Sequence, residues 1–335
     1  MRRILVTGAL GQIGSELVPA LRERYGEERV LASDIRMIPA GTGAAKGLYE
    51  HVDCTQVQQL QETVRRHDVG TIYHLAALLS AVAEEKPQVA WSVNMNGLYN
   101  VLEVARQYDC AVFFPSSIGA FGPTTPHDKT PQVTVQRPTM MYGVTKVAGE
   151  LLCDYYSLRF DADTRGLRLP GLISHVALPG GGTTDYAVEM FYQAVRYQHY
   201  TCFLDPETRL DMMYMPDAIR AMIELMEADP SRLKHRNAFN VTAMNFTPEE
   251  LANEIRTHVP EFVIDYEVDP VCQAIADSWP RSLDDSVARA EWDWKPAYDL
   301  KSMTADMIER LCEKLKAAKN AGKAPKQSSR CPTTD

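Results

Sequence analysis

The sequence predicts an α/β fold, a doubly wound parallel sheet with helices on both faces and a smaller C-terminal lobe. Three observations carry this expectation. Short β-branched runs alternate with longer helix-patterned segments through the first half of the chain, as right-handed βαβ units require. A glycine-rich turn follows the first strand run directly. After about residue 175 the alternation loosens into separate short strands and helices.

Residues 2–9 (RRILVTGA), 29–33 (RVLAS), 70–77 (GTIYHLAA), 111–117 (AVFFPSS) and 164–169 (TRGLRL) read as strands. Between them, 12–25 (QIGSELVPALRERY) and 87–108 (PQVAWSVNMNGLYNVLEVARQY) carry helical patterning. Helix 216–228 and strand 237–242 are placed to extend the main sheet. FTPEELANEI opens another helix, with Thr247 as N-cap, Pro248 in the first position and Glu250 closing a capping box. Segments 262–268 and 282–292 and a long C-terminal helix suit the second lobe. The expected division is a nucleotide-binding unit over 1–175, extended by about 211–243, and a substrate-binding lobe over 176–210 and 244–318. Residues 319–335 are polar and aperiodic and read as a flexible tail.

At 335 residues the chain can bury a large core and a smaller one. A net charge of −9 disfavours nucleic acid as a partner, since phosphate binding needs a basic surface. No apolar run approaches a membrane span. The 7 cysteines are scattered, with no C-x-x-C pair, which argues for a reducing compartment and against a disulfide framework. The 8 histidines show no metal-ligand spacing, so no metal is expected. A strand run begins by residue 3, so no presequence is expected. The expected location is the cytoplasm, with the mitochondrial matrix as the alternative.

VTGALGQIG places Gly8, Gly11 and Gly14 between the first strand and the first helix. Glycine serves there because the chain turns tightly and its backbone must approach a pyrophosphate. Asp34 ends the second strand run about 20 residues beyond Gly14, the spacing of an acid that binds a ribose hydroxyl and repels a 2′-phosphate. That acid makes NAD the expected cofactor in preference to NADP, although Arg36, two residues on, is able to greet such a phosphate. Asp53, in VDCT, either reaches the adenine or caps the following helix. Gln12 and Ile13 in the turn, Leu75, Ala76 and Ala77 after the strand 70–77, and Leu172 complete the candidate cofactor contacts.

Among 15 tyrosines, Tyr142 alone has a lysine four residues later, in YGVTK. On a helix, Tyr142 and Lys146 share a face. A free tyrosine titrates near 10, so about one in a thousand is ionised at pH 7. Lowering that value to about 7 takes roughly 4 kcal/mol, which a nearby ammonium in a poorly solvated cleft can supply. The product is a general base for an alcohol that loses hydride. Ser117, in FPSSIGAFG, sits at a strand's carboxyl end, where open parallel sheets bind ligands.

TGALGQIG, the strand-end PSS and YGVTK, in this order, resemble the extended short-chain dehydrogenase/reductase family over nearly the whole chain. The resemblance implies a Rossmann sheet, a bound nicotinamide nucleotide and a Ser–Tyr–Lys set at Ser117, Tyr142 and Lys146. It also implies that Lys146 contacts the nicotinamide ribose and that Asn94, in WSVNMNGLYN, steadies the site. Asn94 read simply as a buried helix residue bonding to backbone is nearly the same statement.

Many members of that family act on sugar nucleotides, and this sequence departs from their pattern. Phe121-Gly122 stands where they usually carry Tyr-Gly, and LRLPGLIS where they carry an Asn and a Tyr-Gly-Pro. LRLPGLIS, the loop PGGGTTDYAVEMF and SWPRSLDDSVARAEWDW are instead similar to the branch of short-chain L-threonine 3-dehydrogenases. That likeness implies oxidation of L-threonine to 2-amino-3-oxobutyrate with NAD, and a homodimer formed through helices around 94–108 and 142–160. It places Ser80, Thr183 and Asp185 at substrate positions.

Threonine is zwitterionic, so its site needs an anion for the ammonium, which Asp185 offers, and donors for the carboxylate, which Thr183 and Ser80 offer. Asp185 also reads as an N-cap for the next helix. The glycines 180–182 read as hinge and close-approach positions. Trp279 either roofs the pocket or packs the second lobe, and Asp284 and Asp285 read as helix caps more than as a catalytic pair. Two other readings stay open, a sugar-nucleotide epimerase or dehydratase and a non-catalytic NAD-sensing scaffold.

Overall fold

The computed structural model describes residues 2–38, 47–177 and 182–320, with side chains through Ala317. β1 (Arg3–Thr7) leads through the glycine turn into α1 (Gly14–Tyr25), followed by β2 (Val30–Asp34), β3 (Tyr49–His51), α2 (Val57–Arg66) and β4 (Val69–His74). Two short helices, α3 (Ser80–Glu85) and α4 (Pro87–Trp91), precede a π-type turn, Ser92–Asn96, and α5 (Gly97–Tyr108). Next come β5 (Ala111–Ser117), α6 (Met141–Phe160), β6 (Thr164–Leu169) and β7 (Gly171–Ile173). The chain continues through α7 (Tyr186–Tyr197), β8 (His199–Cys202), β9 (Leu210–Tyr214), α8 (Met215–Glu227), β10 (Phe239–Asn240) and β11 (Met244–Phe246). It ends with α9 (Pro248–Arg256), β12 (Val263–Tyr266), α10 (Pro270–Asp277), α11 (Ser286–Trp292) and α12 (Leu300–Asn320).

Seven strands form the main sheet in the order β3-β2-β1-β4-β5-β6-β10, all paired in parallel. Helices cover both faces, so the inner strands are buried on both sides, and β2 and β6 are buried at every residue. The strand order reverses between β1 and β4, which opens the crevice where such sheets bind ligands. On one face α1 and α8 pack with Trp292 and Trp294, and on the other α2, α5 and α6 close a second core. Fully buried large side chains of this kind each stabilise the fold by about 1.5–3 kcal/mol.

A third core gathers α7, β8, β9, α9, α10 and α12 around Phe191 and Tyr186, and it includes Ile118 and Phe121 just beyond β5. It therefore grips the sheet at the edge that carries Ser117. The strand expected at 237–242 pairs with β6 as the edge strand β10. The capping box forms as expected: Glu250 N–H donates to Thr247 Oγ1 at 3.2 Å, and Thr247 N–H to the Glu250 carboxylate at 3.0 Å.

Two expectations need correction. The helix expected over 87–108 is interrupted by the π-type turn. The C-terminal helix runs to Asn320, past the expected start of the tail at 319, and residues 321–335 lie outside the described residues. Among the described residues, no helix is long and apolar enough to cross a membrane.

Candidate active site

The turn after β1 is built by backbone packing. Gly8 has φ +69, and a Cβ there would lie 2.7 Å from the Ala76 nitrogen; at Gly14 it would lie 2.6 Å from the Gly8 oxygen. These neighbours are backbone atoms that cannot swing aside, so only glycine lets the turn close against α1 and against the residues after β4. The result is a bare backbone cradle at a helix start, the surface a pyrophosphate requires. The residues present thus fit a dinucleotide.

Asp34 ends β2 beside this cradle. Its carboxylate accepts the Leu10 N–H at 3.0 Å, and Arg36 donates to it three times, from its backbone N–H and Nε at 3.0 Å each and from Nη2 at 3.1 Å. Burial works to raise the Asp34 pKa, but these bonds and the Arg36 charge outweigh it and hold the value below the ordinary carboxylate range. Arg36 is thus paired with Asp34, its guanidinium on the exposed side of the pair.

Asp53 comes after β3, where Val52 N–H donates to the Asp34 carbonyl. The cap of α2 is Gln56, so Asp53 is not the helix N-cap. Its carboxylate instead accepts the N–H and hydroxyl of Thr55, at 2.9 and 2.7 Å, and shapes the turn before the helix.

Beyond the cradle, the carboxyl ends of β1, β4, β5 and β6 open into a cleft of about 940 Å³, part of it open to solvent. Of the candidate cofactor contacts, Gln12, Ile13, Leu75, Ala77 and Leu172 line it. Ser80, Ser117, Tyr142, Lys146, Thr183, Asp185 and Trp279 line the same cleft. Gly8, Gly11, Gly14, Asp34, Asp53, Ala76 and Asn94 stand behind or beyond its walls. The cleft also takes Leu79, Ile118, Thr184 and the Leu169–Gly171 corner. Sequence reasoning missed these because, apart from Thr184, they are apolar or glycine residues with no chemical signature of their own.

Tyr142 lies in the first turn of α6, and Lys146 one turn on. Lys146 Nζ donates to the Pro115 carbonyl at 2.6 Å and sits 5.3 Å from the Tyr142 ring centre and 4.9 Å from that of Phe114. The ammonium is thus held by a carbonyl and over two rings, with no hydrogen bond to the phenol oxygen. Burial pushes the Tyr142 phenol up to about 12, offset only in part by a hydrogen bond with Ser117. Burial also brings Lys146 down to about 8, against the opposing charge of Glu150. The expected depression of Tyr142 towards 7 by Lys146 is thus not a property of the protein alone, because desolvation of the buried phenol dominates.

The π-type turn contains Asn94. Its Oδ1 accepts Leu78 N–H at 2.8 Å, and its Nδ2 donates to Leu78 O at 3.1 Å and to Thr145 Oγ1 at 3.2 Å. One side chain thus ties the segment after β4 to the helix of Tyr142 and Lys146.

On the substrate side, Asp185 stands at the N-cap position of α7 but makes no side-chain cap bond. Its carboxylate turns back to accept Gly182 N–H at 2.7 Å, and its own N–H donates to Gly182 O at 3.0 Å. Thr183 and Asp185 are 4 and 8% exposed, and both line the cleft. Gly180 and Gly181 lie outside the described residues. Gly182 is extended, at φ −88. Trp279 is buried in the third core and also lines the cleft, so it packs the lobe and walls the pocket at once. Asp284 accepts Ser286 N–H at 2.9 Å, and Asp285 pairs with Arg289 at 2.8 Å; both stand away from the cleft. Among the described residues, no group of three or more His, Cys, Asp or Glu could hold a metal ion.

Comparison with known proteins agrees with this fold. The chain is 55% identical, over 94% of its length and 98% of the relative's, to an uncharacterized epimerase/dehydratase of Staphylococcus aureus (strain USA300). It is similar to the solved L-threonine dehydrogenase from Clostridium difficile, at 56% identity and TM-score 0.92, covering 94% of this chain and 98% of that one. It is also similar to a GalE-like L-threonine dehydrogenase from Cupriavidus necator in its holo form, at 53% identity and TM-score 0.89, covering 92 and 99%. Residues 4–242, most of the chain and the whole of the cradle and its Tyr–Lys helix, match the NAD dependent epimerase/dehydratase family, and the chain belongs to that family.

Proposed function

We propose that this protein is an L-threonine 3-dehydrogenase that oxidises the β-hydroxyl of L-threonine to 2-amino-3-oxobutyrate. The observation that carries the reading is the convergence of Ser117, Tyr142 and Lys146 with Thr183 and Asp185 on one cleft beside a dinucleotide cradle. The likeness to solved L-threonine dehydrogenases supports it.

The cofactor is NAD, as the family's description states. Gly8 to Gly14 would hold its pyrophosphate and Asp34 a ribose hydroxyl, the exposed Arg36 guanidinium yielding its place at the carboxylate. When bound, NAD+ supplies the hydride acceptor for C3 and a positive charge in the cleft. Tyr142 takes the β-hydroxyl proton at its phenol oxygen, and Ser117 polarises the same oxygen by hydrogen bonding. Lys146 adds fixed positive charge beneath the tyrosine ring, which favours the phenolate. Asp185 receives the ammonium of threonine, while Thr183 and Ser80 donate to its carboxylate. Trp279 excludes water from that wall.

Tyr99, Leu151, Tyr155 and Leu158 are exposed on α5 and α6. We propose that this apolar face pairs two copies in a homodimer, which sedimentation would show and Leu158→Glu would dissociate.

The functional test follows NADH absorbance after mixing the purified chain with NAD+ and, separately, L-threonine, L-serine, 3-hydroxybutyrate and a UDP-hexose. NADH forms with L-threonine. Absence of that signal across roughly pH 7 to 10, where a tyrosine base is increasingly ionised, overturns the reading.

A further inference from the structure

Three successive residues at the end of β5 each engage a different residue of α6. The Ser117 hydroxyl meets the Tyr142 phenol, the Pro115 carbonyl accepts Lys146 Nζ at 2.6 Å, and the Ser116 hydroxyl donates to Glu150 Oε1. Tyr142, Lys146 and Glu150 succeed one another at intervals of four, so they stack on one helix face.

Glu150 is 4% exposed and fully engaged. Arg168, on β6, donates Nη2 to its Oε2 at 2.8 Å and Nε to its Oε1 at 3.1 Å, and Gln136 Nε2 donates to Oε2 at 2.9 Å. Arg168 is fixed in turn by the Gln132 carbonyl at 2.8 Å and Asn240 Oδ1 at 3.1 Å. A buried ion pair of this kind is a weak source of stability, since apolar replacements of similar volume are often at least as stable. Its position one turn from Lys146 gives it another use.

The groups facing Lys146 are few. They are Tyr142, Glu150 and the Cys153 thiol on α6, the buried His74 on β4, and the Phe114 ring and Pro115 carbonyl on β5, with Arg168 behind Glu150. His74 is neutral, pushed down to about 3 by burial and by Lys146 itself. The negative charge in this set is the Glu150 carboxylate.

We propose that Glu150 is a positioning residue whose carboxylate, clamped by Arg168 and Ser116, is the counter-charge that keeps Lys146 cationic against the Pro115 carbonyl and beneath Tyr142. The catalytic consequence rests on the reading of Tyr142 as the base, whereas the charge relation between Glu150 and Lys146 stands without it. Burial alone drives Lys146 towards its neutral form. Glu150 opposes that drive from behind the residues that line the cleft.

The test titrates Lys146 directly in the protein without nucleotide. Acetic anhydride, small enough to enter the cleft, labels Lys146 only when neutral, and mass spectrometry of its peptide gives the midpoint against pH. In the wild type the midpoint falls near 8. In Glu150→Gln it falls by about one pH unit, the effect of removing a charge one helical turn away, and Glu150→Asp restores it. Should Glu150→Gln fail to fold because Arg168 is left unpaired, Glu150→Gln/Arg168→Gln leaves no lone buried charge and moves the midpoint the same way, by less. An unmoved midpoint in whichever of these folds overturns the proposal.

With L-threonine and NAD+, the alkaline limb of kcat moves down with the midpoint while KM stays within about twofold. A loss of kcat uniform in pH assigns Glu150 to scaffolding and overturns the positioning role. If the wild type makes no NADH from L-threonine, the functional reading fails, and the labelling result still decides the charge relation.

Discussion

Two glycine-bearing turns border the cleft, and they look alike in the sequence. In the first, at Gly8 to Gly14, the close contacts of an added Cβ are with backbone: Gly8 at 2.7 Å from Ala76 N and Gly14 at 2.6 Å from Gly8 O. In the second, Gly182 has an ordinary extended conformation, and among the described residues the nearest atoms to an added Cβ are those of the Asp185 carboxylate, from 3.6 Å. The first turn is a rigid cradle that works through the side chains its residues lack. The second brings polar side chains with it, since Thr183, Thr184 and Asp185 line the cleft beside Gly182. Glycine count therefore says little about a loop until the neighbours of the missing Cβ are known.

Tyr142 lines the cleft that the two turns border, and removing its hydroxyl tests the site as a whole. Tyr142→Phe should lower kcat by about a thousandfold, the loss of a positioned base, with NAD+ affinity within about twofold of wild type when followed by fluorescence titration. Turnover retained within about tenfold removes Tyr142 from the base role. A second blow falls on the cradle alone. Gly14→Ala must displace backbone, so it should cost about 1–3 kcal/mol of stability by thermal unfolding and weaken NAD+ binding at least about tenfold. Unchanged affinity means that the close contact in this turn does not shape the nucleotide site.

The legible part of the molecule was the part with local rules. Strand–helix alternation, the glycine turn, Asp34 at the end of β2 and the capping box at Thr247 each depend on residues near in sequence, and each is where the pattern puts it. Long-range packing was not legible. Nothing local announces that Arg168 reaches Glu150, 18 residues away, or that Ser116 bonds the helix behind Lys146.

The Tyr142–Lys146 spacing was legible, but its electrostatics were not. Where the ammonium sits depends on the Pro115 carbonyl that captures it. Asp53 shows a smaller failure: an acid before a helix suggested a cap, yet three further residues turn the chain before the helix begins.

Asp185→Asn and Gly182→Ala sharpen the contrast from the substrate side. Asparagine keeps an oxygen to accept Gly182 N–H, so the turn stays closed and only the charge is lost. KM for L-threonine should rise about 10–100-fold, as expected for a hydrogen bond to a charged group worth about 1.5–3 kcal/mol, while kcat falls less. Equal KM in mutant and wild type confines Asp185 to closing its turn.

Gly182→Ala should change least. The backbone there is extended and, among the described residues, the new methyl meets only ordinary contact, so stability and KM should stay within about 0.5 kcal/mol of wild type. A large rise in KM would show that Gly182 leaves its extended conformation when substrate binds. The second turn would then be a moving part whose glycine is required in another state, and the contrast with the rigid cradle would be one of motion as well as packing.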